Sequence, residues 1–226
     1  MNNEGAVNLQ ILKNIKDYEW ARKHFFIRLR NAEQVKDCLR DCPWEKIEDL
    51  AVSYHVFLAE TEGECASAVI NWSLLNHYGI SADELREEAI RNSQKILPLR
   101  MEPVQQMLER NRYLEGDRKE MAATIEEPGL WVVTNKRGIH GASAILYPGA
   151  IELAKLRIGG SFYVLPSSVH ELILCPKTLE CSPDELRNMI REINRSMLAP
   201  NERLSDELYE VDEENRIRRV KSVYCA

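Results

Sequence analysis

Apolar and polar residues alternate along several stretches of the chain, which predicts strands with one buried face. The clearest example lies between Glu48 and Ala59, where every second residue belongs to one apolar face: Leu50, Val52, Tyr54, Val56 and Leu58. The opposite face carries Ser53, His55 and Phe57. Because a turn-forming stretch follows at 60–64, we expect Cys65–Asn71 to return as the second arm of a hairpin. A shorter strand is predicted at His24–Arg30.

Two helices are predicted from capping boxes, in which a serine side chain accepts from an early backbone N–H while a glutamate reaches back to the serine. Ser81 with Glu84 begins a helix that runs to about Ile96. Ser182 with Glu185 begins another, and its apolar stripe consists of Leu186, Met189, Ile190, Ile193 and Met197. Shorter helices are predicted at Val7–Trp20, Ala32–Leu39 and Pro103–Arg110.

The segment Trp131–Pro176 is predicted to be the centre of the fold, because strand and helix patterns alternate within it. Its predicted elements are a hairpin of Trp131–Thr134 and Ile139–Tyr147, a helix from Pro148 to Gly159, and strands at Ser161–Leu165 and Val169–Cys175. Two edge strands are predicted in the tail from Leu204 to Tyr224. We expect an α+β fold with a mixed, mainly antiparallel sheet, hairpins and several amphipathic helices. It is predicted to form a single domain over residues 1–226, with an exposed loop at 111–129.

The composition is that of an ordinary globular protein. Of 226 residues, 44% are hydrophobic and 29% are charged, and the formal net charge of −6 argues against general polyanion binding. The first residues lack the basic start and apolar run of a secretory signal, and no apolar run has the length of a membrane-spanning helix. We therefore expect a soluble cytoplasmic protein without membrane association.

The cysteines and histidines predict neither disulfides nor a metal site. A chain of this size without an export signal has no need of disulfides, so we interpret its six cysteines as reduced thiols. Neither Cys38 with Cys42 nor Cys175 with Cys181 has the C-x-x-C spacing usual in zinc sites. Four histidines are scattered without partners at ligand spacing: His24, His55, His77 and His140. Because the G-x-G-x-x-G pattern of dinucleotide binding is also missing, no cofactor is predicted.

The densest set of reactive side chains lies in one short segment: Ser167, Ser168, His170 and Glu171. A serine near a histidine suggests a nucleophile and its base, because imidazole can accept the hydroxyl proton. On an extended chain, however, Ser167 and His170 diverge, so they meet only if the segment folds back as a tight turn. We favour a structural interpretation, in which the serines satisfy backbone groups and His170 lies on the same strand face as Leu172 and Leu174.

Two further segments have weaker candidate chemistry. Tyr147 precedes Pro148 and Gly149 where a strand is expected to pass into a helix, a place where backbone N–H groups can receive an anion. The alternative, which we favour, is that Tyr147 packs in the core. The basic run Arg216–Lys221 suits either an acidic partner or an edge strand that its charges protect from pairing, and we favour protection. Nucleic-acid binding would require this run to share a face with Arg22, Lys23 and Lys136.

Three motifs of the chain resemble a known family: GASAILYPG, LRIGGSFYVLPSSVHELILCP and LSDELYEVDEENRIRRV. They are similar to DUF5688, a family of uncharacterised proteins from Clostridia-type bacteria. The resemblance covers most of the chain, including VSYHVFLAETEGECASAVI, and it implies a bacterial, intracellular protein of one domain. It supplies no catalytic residues.

These observations favour a noncatalytic protein that binds another macromolecule or self-associates, because no complete catalytic set is found. The predicted interaction surfaces are the His55 and Phe57 face of the long strand, the charged loop at 111–129 and the edge at Arg216–Tyr224. The partner would be another protein or a second copy, and nucleic acid is disfavoured. The alternative is a hydrolase or transferase with a site near Tyr147 and the residues Ser167, Ser168, His170 and Glu171.

Overall fold

The computed structural model describes residues 11–61, 64–112 and 129–221. Its helices are α1 (residues 11–16), α2 (Tyr18–Ala21), α3 (Ala32–Val35), α4 (Trp72–Tyr78), α5 (Ala82–Ile96), α6 (Val104–Arg112), α7 (Ala150–Ile158) and α8 (Pro183–Met197). Short 3₁₀ helices span Arg22–His24 and Gly141–Leu146. The strands are β1 (Phe25–Asn31), β2 (Trp44–Ile47), β3 (Leu50–Thr61), β4 (Glu64–Val69), β5 (Leu99–Pro103), β6 (Trp131–Asn135), β7 (Phe162–Leu165), β8 (Leu172–Pro176), β9 (Tyr209–Val211) and β10 (Ile217–Arg219).

The strands form two sheets, and each pairing between described strands is antiparallel. In the first sheet, β3 pairs with β1 along one edge and with β2 and then β4 along the other. The second sheet has the order β10-β9-β7-β8-β6-β5. The α+β prediction is confirmed. The expected mixed pairing is not found among the described strands.

The first sheet has an apolar face and a polar face because its long strands alternate in sequence. Phe25, Ile27 and Leu29 of β1 are buried in the main core together with the predicted apolar face of β3. The opposite face carries Arg28 and Arg30 of β1, which are paired in register with β3. This polar face of the first sheet contributes residues to the candidate site.

Local capping sets the start of the two long helices. Ser81 and Glu84 form a complete capping box at α5, and Ser182 and Glu185 form one at α8, as predicted. The helix α5 also packs along the edge of β1 that no other described strand pairs with. There, Ser93 Oγ of α5 accepts a hydrogen bond of 2.9 Å from the Ile27 backbone N–H. The buried Ile27 N–H on this edge therefore has an acceptor, as buried backbone N–H groups require.

The predicted strand Ile139–Tyr147 is wrong. Its central part is the 3₁₀ helix Gly141–Leu146, which is packed beside β6 in the main core. The reason is the close approach at Gly141, where a Cβ atom would overlap the Thr134 side chain and the His170 carbonyl oxygen. The small residue at position 141 lets the 3₁₀ helix lie directly against the backbone of Asn135 and His170, and the chain turns there instead of continuing as an extended strand.

Three further boundaries differ from the sequence prediction. Gly149, with a φ of 79°, is the cap of α7, so Pro148 precedes the helix instead of occupying its first turn. The strand β8 begins at Leu172, so His170 does not share a strand face with Leu172 and Leu174. In the tail, β10 is an edge strand, but β9 lies between β10 and β7.

Part of the predicted loop at 111–129 belongs to α6, which ends at Arg112. Residues 113–128 lie outside the described residues, as do the end of the predicted edge at Tyr224 and the cysteine at position 225. Among the residues that are described, no helix has the length and apolar character needed to cross a bilayer.

Candidate functional site

The segment that contains Ser167, Ser168, His170 and Glu171 folds back as a tight turn between β7 and β8. Ser168 N–H donates to the Glu171 carbonyl oxygen at 3.1 Å, and Ser168 Oγ accepts from the His170 backbone N–H at 3.0 Å. Ser167 N–H donates to the Leu165 carbonyl oxygen at 3.0 Å. Both serines therefore contribute to turn hydrogen bonding.

The imidazole of His170 is directed to a different partner. Its Nδ1 accepts from the His140 backbone N–H at 3.3 Å, so the neutral ring carries its proton on Nε2. Nε2 lies 3.8 Å from Glu202 Oε1. Within the described part of the chain, neither Ser167 Oγ nor Ser168 Oγ is hydrogen-bonded to this ring. The turn does not assemble a serine and a histidine as nucleophile and base.

Tyr147 lies in the core and not at an anion-receiving helix start. It is 2% exposed and follows the last residue of the 3₁₀ helix. Burial raises the pKa of its hydroxyl to about 12, while the nearby hydroxyls of Ser143 and Ser93 act to lower it. The position thus agrees with the packing alternative for this tyrosine.

His170 leads instead to a cluster that sequence analysis missed. The rings of His140 and His170 are stacked, with centroids 5.7 Å apart and planes inclined by 19°. His140 has a left-handed backbone with a φ of 52°, which turns the chain into the 3₁₀ helix. Thr134 Oγ1 donates to the His170 carbonyl oxygen at 2.8 Å, which holds this turn against β6.

The polar face of the first sheet supplies three further residues of this cluster. On β3, His55 Nε2 lies 2.9 Å from Ser53 Oγ. On β1, Arg28 Nη2 donates to the Cys65 carbonyl oxygen and Arg30 Nη2 donates to the Asn201 carbonyl oxygen, each at 3.4 Å. We call Arg28, Arg30, His55, His140 and His170 the His–Arg cluster.

Within the His–Arg cluster, the neighbouring residues lower the pKa values of His55 and His140. Burial lowers the pKa of His140 to about 3, together with smaller contributions from the positive charge of Arg28 and from His170 and Arg30. Burial and the charge of Arg28 likewise hold the pKa of His55 well below its ordinary value. The imidazoles of His55 and His140 are therefore neutral at physiological pH, and the guanidinium groups carry the charge.

Four nitrogen atoms of the His–Arg cluster are buried without a hydrogen-bond partner: Nε of Arg28, Nε of Arg30, Nδ1 of His55 and Nδ1 of His140. Across all described residues, seven buried side-chain polar atoms lack a partner, so more than half of these atoms belong to the His–Arg cluster. Burying an unpaired polar atom costs about 1–3 kcal/mol, more near a charge. Such a concentration in a native fold requires a physical explanation.

The chemistry of these donors suits an anion. A guanidinium group presents N–H donors in a planar fork that matches a carboxylate or a phosphate, and a neutral imidazole can donate one further hydrogen bond. A metal cation would be repelled by Arg28 and Arg30. In the described ranges, no group of three or more potential His, Cys, Asp or Glu ligands has a metal-binding arrangement.

A signal for three of the five residues of the His–Arg cluster was present in the sequence. Alternation places Arg28 and Arg30 on one face of β1, and it places His55 on the matching face of β3. Two cations and a histidine on the less apolar face of adjacent strands mark a polar surface. Nothing local indicated that His140 and His170 would cover that surface.

The basic run at the C-terminal edge is largely neutralised within the chain. Arg216 contacts Asp212 and Glu214, while Arg218 contacts Asp212 and Glu48. Arg22, which a nucleic-acid face would have required, pairs with Glu88. These cations are therefore committed to carboxylates, as expected for an edge protected by charge.

Comparison with known proteins gives one family. A family model described as a family of unknown function (DUF5688) matches residues 2–213. No curated protein and no solved structure matches the chain.

Proposed function

We propose that this chain, which belongs to the DUF5688 family of unknown function, is a noncatalytic protein that holds an anionic group of a macromolecular partner in the His–Arg cluster. The partner is another protein or a second copy of this chain. As parts of the same proposal, the protein comes from a Clostridia-type bacterium and works in the cytoplasm. Its exposed thiols at Cys38 and Cys181 suit a reducing compartment.

The observation that carries this proposal is the set of four buried nitrogens without partners. Leaving guanidinium N–H groups and imidazole nitrogens unpaired in a low-dielectric environment is costly, and an anion that accepts from the N–H donors among them reduces that cost. Desolvation also lowers the pKa of Arg28, which an anion would reverse. The free energy regained on binding is the source of affinity.

An anion can approach the cluster from the side of His170. The side chain of His170 is 35% exposed, and that of Glu202 beside it is 42% exposed, so this part of the cluster meets solvent. A carboxylate or phosphate at the end of a partner side chain would first take the place of the Glu202 carboxylate, which lies 3.8 Å from His170 Nε2. Arg28 and Arg30 would then provide the charge that retains it.

The test is titration of inorganic phosphate, and separately of acetate, into the full chain, followed by NMR spectra of backbone amides and arginine Nε–H groups. We expect saturable shifts at His140, His170, Arg28 and Arg30. Arg30→Met should weaken phosphate binding by about tenfold, because a hydrogen bond to a charged group contributes about 1.5–3 kcal/mol. Arg157→Met is the matched control, since Arg157 lies over Trp131 and donates to the Met101 carbonyl oxygen.

Self-association is examined by sedimentation velocity of the same proteins. If a second copy supplies the anionic group, both phosphate and Arg30→Met should shift the population towards monomer, whereas Arg157→Met should not. Absence of any saturable phosphate or acetate binding in the folded wild type would contradict the proposed anion site. If Arg30→Met leaves phosphate binding unchanged, the anion site is not in the His–Arg cluster.

A further inference from the structure

A separate pocket of about 480 Å³ opens where β2 runs beside β3 and the first turn of α5 approaches it. Its lining residues are Pro43, Trp44, Glu45, Tyr54, Trp72, Ala82, Asp83 and Arg86. The volume falls within the range of small-molecule sites, which is about 300–1,000 Å³. None of these residues belongs to the His–Arg cluster.

Two tryptophans form apolar walls of this pocket. Trp72 is the first residue of α4 and remains 45% exposed, although an indole ring is among the side chains that gain most from burial. Its position is held by the Asn71 cap, whose side chain accepts from Leu74 N–H at 2.8 Å, and by a 2.9 Å bond from its own N–H to the Asp41 carbonyl oxygen. Trp44 is half-buried and packs against a small apolar cluster that includes Leu39 and Cys42, so Trp72 is the more open of the two indole rings.

A carboxylate lies in the same pocket and is held in place by two donors. Tyr54 Oη donates to Glu45 Oε1, and Arg86 Nε donates to Glu45 Oε2 at 3.0 Å. Burial and the Glu45 carboxylate raise the pKa of Tyr54, so the phenol stays protonated and keeps donating. The charged residues of the lining are Glu45, Asp83 and Arg86. Two carboxylates and one guanidinium group give the lining a formal charge of −1.

From these features we infer that the pocket binds a quaternary ammonium group. Indole faces attract a cation through their negative π surface, and the net negative charge of the lining adds to that attraction. Both oxygens of Glu45 already accept from Tyr54 and Arg86, so the carboxylate offers charge more readily than new hydrogen bonds. A cation without N–H donors needs no acceptor in this pocket, whereas a primary ammonium would have to share Glu45 with Tyr54 and Arg86 or turn to Asp83 at the rim.

The experiment compares choline with 3,3-dimethyl-1-butanol, its neutral isostere, by NMR of the ligand methyl groups and by calorimetry with the full chain. We expect saturable choline binding with an upfield ring-current shift of the methyl protons, and at least about tenfold weaker binding of the neutral isostere. Ethanolamine, which carries N–H donors, should also bind more weakly than choline.

Two variants locate the site. Trp72→Leu should weaken choline binding by about tenfold, and because the ring is half exposed the variant should fold normally. Glu45→Gln should reduce the preference for choline over its neutral isostere. Trp20→Phe is the control, since Trp20 stacks on His24 and does not line the pocket.

Equal binding of choline and the neutral isostere, or no choline binding by the folded wild type, would overturn the inference. Choline binding that survives Trp72→Leu would also overturn it. The inference is independent of the proposed anion site, because Arg30→Met should leave choline binding unchanged. If one of the two proposed sites does not bind its ligand, the binding result for the other site can still be interpreted.

Discussion

Tyr209 donates a 2.6 Å hydrogen bond to Asp49 Oδ1 and thereby joins the two sheets of the protein. Tyr209 lies on β9 of the second sheet and is 1% exposed, while Asp49 lies in the turn between β2 and β3 of the first. Ser205 Oγ donates to the other oxygen of Asp49 at 2.7 Å. The carboxylate thus holds β9 of the second sheet, and the segment that precedes β9, through two charge-assisted hydrogen bonds.

Tyr209→Phe should lower the free energy of unfolding by about 2 kcal/mol, because the partly buried Asp49 carboxylate loses one of its two donors. Urea unfolding followed by circular dichroism measures the change. Tyr163→Phe is the control, since Tyr163 is half-buried and its ring contact with Lys177 Nζ at 4.9 Å persists in phenylalanine. A loss that is equal in the two variants would show that the Asp49 link does not contribute.

Ser93→Ala should also lower the free energy of unfolding by about 2 kcal/mol, because the buried Ile27 N–H on the edge of β1 loses its acceptor. The measurement is again urea unfolding. Ser196→Ala is a matched control, since both serines donate at 2.7 Å to the carbonyl oxygen four residues earlier in their helix, but Ser196 is exposed. We expect Ser196→Ala to change stability by less than about 0.5 kcal/mol. If Ser93→Ala has as small an effect, the edge of β1 does not depend on this hydroxyl.

Gly141→Ala should destabilise the fold by about 3 kcal/mol, because the added methyl group would overlap Thr134 and the backbone of the His170 turn. The melting temperature and the amide shifts of His170 report the effect together. Gly129→Ala is the control, since the nearest atom there, Pro176 Cγ, would be 3.5 Å from the new methyl group. An unchanged melting temperature for Gly141→Ala would mean that the turn relaxes freely.

Asp212 should make stability depend on pH under acidic conditions. Desolvation by itself raises the pKa of its carboxyl, but hydrogen bonds from Arg216 backbone and side chain and from Arg218 outweigh it and lower the pKa to about 2. Because the folded pKa lies below the ordinary value of 3.8, the stabilisation is complete above that value and is lost as the pH falls through about 2. Asp212→Asn should remove this part of the loss of stability in acid. The urea midpoint, measured at pH values between about 4 and about 2, reports the change. Glu213→Gln, at the adjacent position, should leave it in place, and equal profiles for wild type and Asp212→Asn would refute the prediction.

Local features of the fold were predictable to a large extent. The capping boxes at Ser81 and Ser182 depend only on residues three positions apart, and both are present in the structure. The hairpin of β3 and β4 follows from alternation on either side of a turn. The same reasoning failed at Ile139–Tyr147, where an alternating pattern of small and apolar residues is a buried 3₁₀ helix.

The candidate sites were predictable only in part. The side chains of Ser167, Ser168 and His170 were singled out because they are close in the chain, yet the ring of His170 is directed to His140 instead. Trp44 and Trp72 carried no recognisable motif, since a pocket between β2 and α4 has no signature in either segment alone.

By itself, the sequence determined the elements whose stability is local, because helix caps and alternating strand faces depend on neighbours a few residues away. It also determined which face of β1 and β3 would be polar, and hence where Arg28 and His55 lie. Only the tertiary structure decided that the turn containing His140 would cover that face and leave Arg28 Nε and His55 Nδ1 buried without partners. The reason is that the approach of distant segments depends on packing across the whole core, as the close contact at Gly141 illustrates.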